Sequence, residues 1–265
     1  MIAHRTRPDW IVALLALAIG ALGGETVSIA VGLAFFTAGL PHGFVRGTRS
    51  NPRLKRVWYW IAYLLGAALV VAAFLLAPIA ALAAFLALSL VHFAMSHAHG
   101  DRLFNLAIGL LIVGGSALFQ PSGTAAMLSA VAGQPVPPLL MSALVFAGAA
   151  GTALSALLCL SEPKRHASLI VAVGLMAALH PVLAVGGVFF LYHAAPIQHR
   201  AASAFGKSPA LMLGAAVIAL SVSALAFEFS GIQPSVFQIA IASACAIALI
   251  TPHLFEDLID LFAGR

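Results

Sequence analysis

Long apolar runs, separated by short polar or proline- and glycine-containing breaks, fill this chain from residue 10 to residue 252. A helix rises about 1.5 Å per residue, so about 20 apolar residues cross the roughly 30 Å hydrocarbon core of a bilayer. The 265 residues are 62% hydrophobic and 8% charged, with a mean hydropathy of +1.07, which excludes an ordinary soluble domain. We therefore expect an all-α, polytopic integral membrane protein with a single multi-span domain over residues 1–265.

Charges, prolines and glycine clusters divide the sequence into ten predicted helical segments. Several are shorter than a straight span requires, above all the two that flank His180 and Pro181, which could instead form one long kinked helix. The stretch from Gln120 to Pro138 is mildly apolar and is predicted to form an amphipathic or re-entrant excursion. The ten segments are Trp10–Leu22, Thr26–Val45, Val57–Leu76, Ile79–Ser96, Leu103–Phe119, Leu139–Leu160, Ser168–Leu179, Val182–Ile197, Pro209–Phe227 and Val236–Pro252.

Basic residues occupy alternate loops, which is the pattern that the positive-inside rule predicts for cytoplasmic loops. The intervening loops contain no Lys or Arg. This alternation favours ten spans in a cell (inner) membrane with both termini in the cytoplasm, because one kinked helix at His180 would put the flanking basic loops on opposite sides. The net charge of +5 therefore indicates orientation, and no basic and aromatic pattern indicates nucleic-acid binding. The basic residues are Arg5, Arg7, Arg46, Arg49, Arg53, Lys55, Arg56, Arg102, Lys164, Arg165, Arg200, Lys207 and Arg265.

Histidines gather at one end of the predicted bundle. Seven of the ten lie at or just beyond the predicted cytoplasmic end of four separate segments: His42, His92, His97, His99, His193, His199 and His253. Imidazoles are costly in hydrocarbon unless they are paired, hydrated or bound, and metal sites in helix bundles are built from such convergent side chains. The pattern predicts a metal site, with interfacial histidines near the lipid headgroups as the alternative. His4, His166 and His180 are poor ligand candidates because they lie in the N-terminal tail, a basic loop and the opposite end.

The donor set narrows the choice of metal. Neutral imidazoles suit iron, copper, zinc or nickel, whereas calcium and magnesium prefer oxygen ligands. The carboxylates all lie at or beyond segment ends, which favours an all-histidine site over a carboxylate-bridged one. A histidine-lined transporter is a rival interpretation, although the sequence shows no inverted repeat. A non-catalytic protein that binds a metal, or haem between paired histidines, is another.

The spacing of the last two histidines of the eighth segment is unusual, since His193 and His199 are six residues apart. In a regular helix such a pair diverges by about 120°, and Pro196 lies between them. A π-type bulge absorbs only one extra residue, so both rings can meet only if the chain unwinds around Pro196. Otherwise His199 is a loop residue beside Arg200, and the fourth ligand is His97, His99 or His253.

Several short motifs, taken in order, resemble those of the bacteriorhodopsin-related-protein-like (Brp/Blh) family of β-carotene 15,15′-dioxygenases. Their succession covers most of the chain. The motifs are Leu40-Pro41-His42-Gly43, Val91-His92-Phe93, His180-Pro181, Phe189-Phe190-Leu191-Tyr192-His193, His199-Arg200 and Pro252-His253.

The resemblance implies a membrane enzyme that uses Fe(II) and O2 to split the central double bond of β-carotene, or of a related apolar carotenoid, into two retinals. It implies iron ligands at His42, His92, His193 and His199, and no catalytic residue beyond these ligands. The carotenoid would enter from the lipid bilayer, and a rhodopsin would receive the retinal. The family's last two ligands are normally four residues apart, where this chain has Ile197, so the resemblance leaves the fourth ligand open.

Overall fold

The structure is a computed structural model, and it describes residues 7–39, 57–95, 101–198 and 213–220, together with residues 239, 243, 244 and 246–248. Helices account for almost all of these residues, and this part of the chain contains no β-strand. The all-α prediction is therefore confirmed. Most of the predicted segments Pro209–Phe227 and Val236–Pro252 lies outside the described residues.

The helices between residues 7 and 198 are numbered here α1 to α10 in chain order. Eight of them correspond to predicted segments, and the boundaries of these eight lie within three residues of the predicted ones wherever the flanking chain is described, whereas α6 and α8 match no predicted segment. They are α1 Arg7–Leu22, α2 Gly24–Gly39, α3 Val57–Leu76, α4 Pro78–Met95, α5 Arg102–Phe119, α6 Pro121–Ala132, α7 Pro138–Ser161, α8 Pro163–His166, α9 Ser168–Ala178 and α10 Pro181–Gln198.

Prolines set the starting points of half of these helices. Proline has no backbone N–H and a fixed φ near −65°, so it fits the first helical position, where an N–H would lack a partner in any case. This placement explains why breaks at prolines located the segments well in the sequence. The five helices that begin with proline are α4, α6, α7, α8 and α10.

Two of the predicted irregular regions have a definite structure. The stretch predicted as an amphipathic or re-entrant excursion forms the twelve-residue helix α6. The segments on either side of His180 are separate helices, because Leu179 has an extended backbone with φ −106° and ψ 153° at the end of α9. The ten-segment division therefore describes this region better than a single kinked helix does.

Four of the described helices are long and apolar enough to cross a membrane, namely α4, α5, α7 and α10. Helices α1, α2 and α9 and part of α3 are also apolar, but their apolar stretches are only 10 to 17 residues long. Large apolar side chains on the outer helices are exposed, for example Leu69, Leu139 and Leu160. Exposed apolar side chains of this kind agree with a surface that faces lipid in an integral membrane protein.

The core lies around α5 and α10. Buried residues make up 83% of α10 and 61% of α5, compared with 22% for α4 and 28% of the most apolar window of α7. Helix α2 approaches α10 closely at two glycines, where a Cβ on Gly186 would lie 2.5 Å from the carbonyl oxygen of Gly32. Small residues at such crossings let helix backbones pack against each other in a membrane protein. This crossing brings the carboxyl end of α2 to the carboxyl end of α10.

Candidate metal centre

Two buried histidines from distant parts of the chain meet at one end of the bundle. His92 lies in the last turn of α4 and His193 near the end of α10, and their relative exposures are 4% and 2%. Their Nε2 atoms are 2.9 Å apart, and the ring centroids are 4.8 Å apart. The sequence predicted that both residues lie at the same end, and the structure brings them into direct contact.

The carboxyl end of α2 belongs to the same end of the bundle. The side chain of Gln198, in the last turn of α10, donates from Nε2 to the carbonyl oxygens of Ala38 at 2.8 Å and Gly39 at 3.2 Å. Both carbonyls belong to the last described turn of α2. The three helices that precede or carry His42, His92 and His193 therefore end close together.

Aromatic rings enclose the histidine pair. The Phe93 ring lies edge-on to His193 at 4.8 Å between centroids, and the Phe189 ring stacks on His193 at 5.8 Å. Phe36 of α2 stacks in turn on Phe189 at 5.4 Å. Rings of this size keep the surroundings of the imidazoles apolar and exclude bulk water from them.

His193 lies within a π-helical turn, Phe190–Ala194, where the backbone N–H of Ala195 donates to the carbonyl of Phe190. The helix continues through Pro196 to Gln198, so the described chain does not unwind at Pro196, which was the condition for His193 and His199 to share one site; His199 itself lies outside the described residues. A proline ring clashes with the carbonyl four residues before it in a regular helix, and the wider π turn relieves that clash.

Tyr192 holds the π turn from the opposite side. Its hydroxyl donates to the carbonyl oxygen of Ser168 at 2.6 Å, and its ring lies edge-on to Trp10 at 5.6 Å between centroids. Consecutive helical residues project in fixed, different directions from the backbone. Contacts that hold Tyr192 on one side of the helix therefore also keep His193 directed towards His92. π turns are frequent at functional sites because they redirect side chains in this way.

The histidine pair fits two positions of a metal centre. Two nitrogens bound to one ion at about 2.1 Å, and at a right angle to each other, lie about 3.0 Å apart, close to the separation in this structure. Without a metal, a contact at this distance requires a proton between the two nitrogens. Among the described residues, no set of three His, Cys, Asp or Glu side chains forms a metal site. Further ligands would have to come from the rest of the chain.

The other predicted ligands, His42 and His199, and the alternatives His97, His99 and His253 lie outside the described residues. Their roles therefore stay predictions. His42 follows Gly39 by three residues, and three residues of chain reach at most about 11 Å. His199 directly follows Gln198.

His166 is more deeply buried than a position in a basic loop suggested. It ends the short helix α8 with an exposure of 2%, and its Nε2 is 3.8 Å from a carboxylate oxygen of Asp101. Asp101 also caps the first turn of α5 and pairs with Arg165 at 3.2 Å. Phe104 separates His166 from Tyr192, with ring centroids 5.9 and 6.4 Å away. His166 therefore belongs to a structural contact between α5 and α8.

His180 lies at the far end of α10, in front of Pro181. Thirteen residues of helix separate it from His193, which corresponds to about 20 Å along the axis. A cavity of about 690 Å³ opens beside it, lined among others by Glu25, Gln120 and Ser122. This polar cavity is thus remote from the histidine pair.

A model of the β-carotene 15,15′-dioxygenase family matches residues 33–263, which include both histidines and the helices that carry them. The chain belongs to this family. It is a β-carotene 15,15′-dioxygenase-like membrane enzyme, as the order of the short histidine motifs indicated. No curated protein and no solved structure matches the chain.

Family membership makes the histidine pair the best candidate for the centre of this enzyme. Two features of the centre were missed in the sequence, namely the hydroxyl contact of Tyr192 and the amide contacts of Gln198, and the π turn was considered only as a bulge too small to bring His193 and His199 together. The only signal for the π turn was Pro196, three residues after His193. The hydrogen bonds of Tyr192 and Gln198 had none, because their acceptors lie 24 and about 160 residues away in the chain.

Proposed function

We propose that this protein is an iron-dependent dioxygenase that splits the central double bond of β-carotene with O2 to give two retinals. Both oxygen atoms of O2 are accounted for by the two aldehydes, so the reaction needs no further reductant. The pair of buried imidazoles, 2.9 Å apart at the end of three apolar helices, is the observation that carries the proposal.

The proposed ligand set is His42, His92, His193 and His199. Neutral imidazoles suit Fe(II), and a site with only histidine ligands leaves coordination positions for O2. A bound Fe(II) would supply the one-electron and O2 chemistry that amino-acid side chains lack. If His199 is not a ligand, His97, His99 and His253 are the alternatives, since all follow the ends of helices predicted to lie at this depth.

The chain itself would position the substrate and keep the centre dry. An apolar polyene partitions into the bilayer, so it would reach the centre from the lipid and not from water. The rings of Phe93 and Phe189 flank His193 and offer an apolar surface for such a molecule. No acid or base is needed beside the histidines.

The membrane location of the enzyme and the acceptor of its product belong to the same proposal. The protein would lie in the cell (inner) membrane as a single domain of ten spans, with both termini in the cytoplasm. Retinal leaves as an apolar aldehyde, and a rhodopsin in the same bilayer is its proposed acceptor.

Expression in bacteria that make β-carotene tests the reaction. We expect retinal in pigment extracts of cells with the unchanged protein, loss of β-carotene in proportion, and no retinal with His92→Ala or His193→Ala. His180→Ala is the matched control, because it removes an imidazole from the same helix about 20 Å away. Cells that accumulate the protein and keep all their β-carotene would contradict the proposal. A haem absorption band in the purified protein would favour a haem-binding protein instead.

A further inference from the structure

Tyr192 carries a hydroxyl into one of the most buried parts of the bundle. Its relative exposure is 2%, and the hydroxyl donates to the Ser168 carbonyl at 2.6 Å. Phenylalanine occupies two nearby buried positions of the same helix, Phe189 and Phe190. A buried hydroxyl is costly unless it is hydrogen-bonded, whereas a plain ring has no such requirement. The hydroxyl of Tyr192 therefore needs an explanation beyond the filling of space.

The acceptor of this hydrogen bond belongs to a different part of the bundle, which other contacts hold in place. Ser168 is the first residue of α9, directly after the short helix α8 that ends at His166. The His166 ring is buried and packs on Phe104 of α5, with 5.9 Å between centroids. The Tyr192 hydroxyl thus joins α10 to the junction of α5, α8 and α9.

The π turn Phe190–Ala194 competes with a regular α-helix. π turns are rare, and one residue more or less in a turn rotates the side chains that follow by about 100°. Pro196 disfavours the regular helix, because its ring would clash with the Tyr192 carbonyl and it has no N–H to donate to that carbonyl. Proline excludes one conformation without selecting the direction of His193. The hydroxyl bond anchors the middle of the turn, one residue before His193, to a fixed acceptor.

We infer that the Tyr192 hydroxyl is a positioning group that raises the metal affinity of the centre. By holding the π turn, it keeps the His193 ring 2.9 Å from His92, measured between the Nε2 atoms, before a metal binds. Ligands that are already in place lose less conformational freedom on binding, so the metal is bound more tightly. Tyr192 acts through His193 and is not itself a ligand. The inference rests on the proposed function, because it assumes that His92 and His193 bind a metal.

Ring packing around His193 is the alternative explanation for its direction. The rings of Phe93 and Phe189 also contact the imidazole, at 4.8 and 5.8 Å between centroids. If these rings alone direct His193, the hydroxyl of Tyr192 contributes only to the stability of the fold. Tyr192→Phe separates the two explanations, because it removes the hydroxyl and keeps every ring.

The chain contains a matched control for this hydroxyl. Ser28 of α2 is also buried, and its Oγ donates to the carbonyl of Gly20 in α1 at 2.7 Å. This bond joins two helices at the opposite end of the bundle, where Ser28 lines the cavity beside His180. Ser28→Ala therefore removes the same kind of hydrogen bond at a place remote from the histidine pair.

The experiment titrates the purified, metal-free full chain with Fe(II) under anaerobic conditions and measures its thermal unfolding. We expect Tyr192→Phe to weaken Fe(II) binding about 2- to 10-fold, the factor by which one intramolecular hydrogen bond shifts an equilibrium. Retinal formation at saturating Fe(II) should equal that of the unchanged protein, because every ligand remains. Ser28→Ala should lower the unfolding temperature as Tyr192→Phe does and leave the Fe(II) affinity unchanged.

Trp10→Ala is the second variant if Tyr192→Phe does not accumulate. It keeps the hydroxyl and removes the ring that lies edge-on to Tyr192, so a smaller loss of Fe(II) affinity is expected. An affinity equal to that of Ser28→Ala in whichever variant accumulates, or retinal formation that stays low at saturating Fe(II), would overturn the inference. Absence of Fe(II) binding in the unchanged protein, or unchanged binding in His92→Ala, would instead overturn the proposed function.

Discussion

At the scale of single residues, two buried histidines at the ends of α4 and α10 determine which ligand this end of the protein can bind. His92 and His193 are 101 positions apart in the chain, yet their Nε2 atoms are within 2.9 Å, and both are almost fully buried. Burying two polar rings in an apolar bundle is stable only if their nitrogens are satisfied. A proton shared between them or a metal ion that binds both would do so, and the dioxygenase family of this chain favours the metal.

Metal content is the first test at this scale. The purified protein should hold close to one iron per chain, and His42→Ala, His92→Ala or His193→Ala should release it, because an incomplete set of imidazoles binds poorly. Elemental analysis of the purified variants measures this. His166→Ala and His180→Ala are controls that should retain iron. Zinc, or no metal, in an active preparation would exclude the ferrous centre.

The fourth ligand is the second test. If His199 completes the centre, His199→Ala should abolish retinal formation as fully as His193→Ala does. Pro196→Ala should reduce it, because alanine removes the clash that the π turn relieves, and the regular α-helix that it permits would turn the ring away. Retinal yield and bound iron should be measured together with those of His97→Ala, His99→Ala and His253→Ala. Near-normal values for His199→Ala would reject it, and a loss at one of the other three would identify the replacement.

At the scale of helices, close packing and local irregularity place the two histidines. The crossing at Gly32 and Gly186 sets α2 against α10, and the π turn at Phe190–Ala194 turns His193 towards α4. The Tyr192 hydroxyl and the Gln198 amide hold this part of α10 from two directions. The centre is therefore supported by the packing of α10, the most buried of the long apolar helices described.

A larger residue at the glycine crossing should disturb the centre. Gly186→Val places a Cβ 2.5 Å from the Gly32 carbonyl, and such overpacking usually costs about 1–3 kcal/mol. We expect a lower unfolding temperature and loss of bound iron. Gly174→Val is the control, because a Cβ at Gly174 meets no atom within 4 Å. Equal effects of the two substitutions would show that the crossing has no special role.

At the scale of the whole molecule, the two ends of the described helices differ chemically. One end carries the histidine pair, and the other carries the cavity beside His180, with Glu25 and Ser122. The alternation of basic loops predicts that the histidine end faces the cytoplasm. The predicted count of ten spans follows from the same alternation and from the segments of the sequence.

Labelling from the two sides of the membrane tests this orientation. A cysteine introduced at Asn51, in the basic loop after α2, should react only with a reagent on the cytoplasmic side. A cysteine at Ser122, exposed at the start of α6, should react only from the opposite side. Both positions labelled from one side would refute the predicted topology and the common depth of the seven histidines.

Much of the architecture could be predicted because its causes are local. Apolar runs and prolines located α3, α4, α5 and α7 to within a residue, since the length and composition of a span are properties of its own segment. The excursion after Gln120 was harder, because a short and weakly apolar stretch does not reveal whether it forms a helix. The burial of His166 was missed for a related reason, as a basic loop gives no sign that one of its side chains packs against Phe104.

The sequence by itself determined the class of the protein and the approximate helices, and it predicted that His92 and His193 lie at the same end, because hydropathy, charge and proline act within a segment. Only the tertiary structure decided that His92 meets His193, that a π turn carries the latter, and that Gln198 joins α10 to α2. These contacts join residues up to about 160 positions apart. Their geometry depends on how whole helices pack, which no local pattern records.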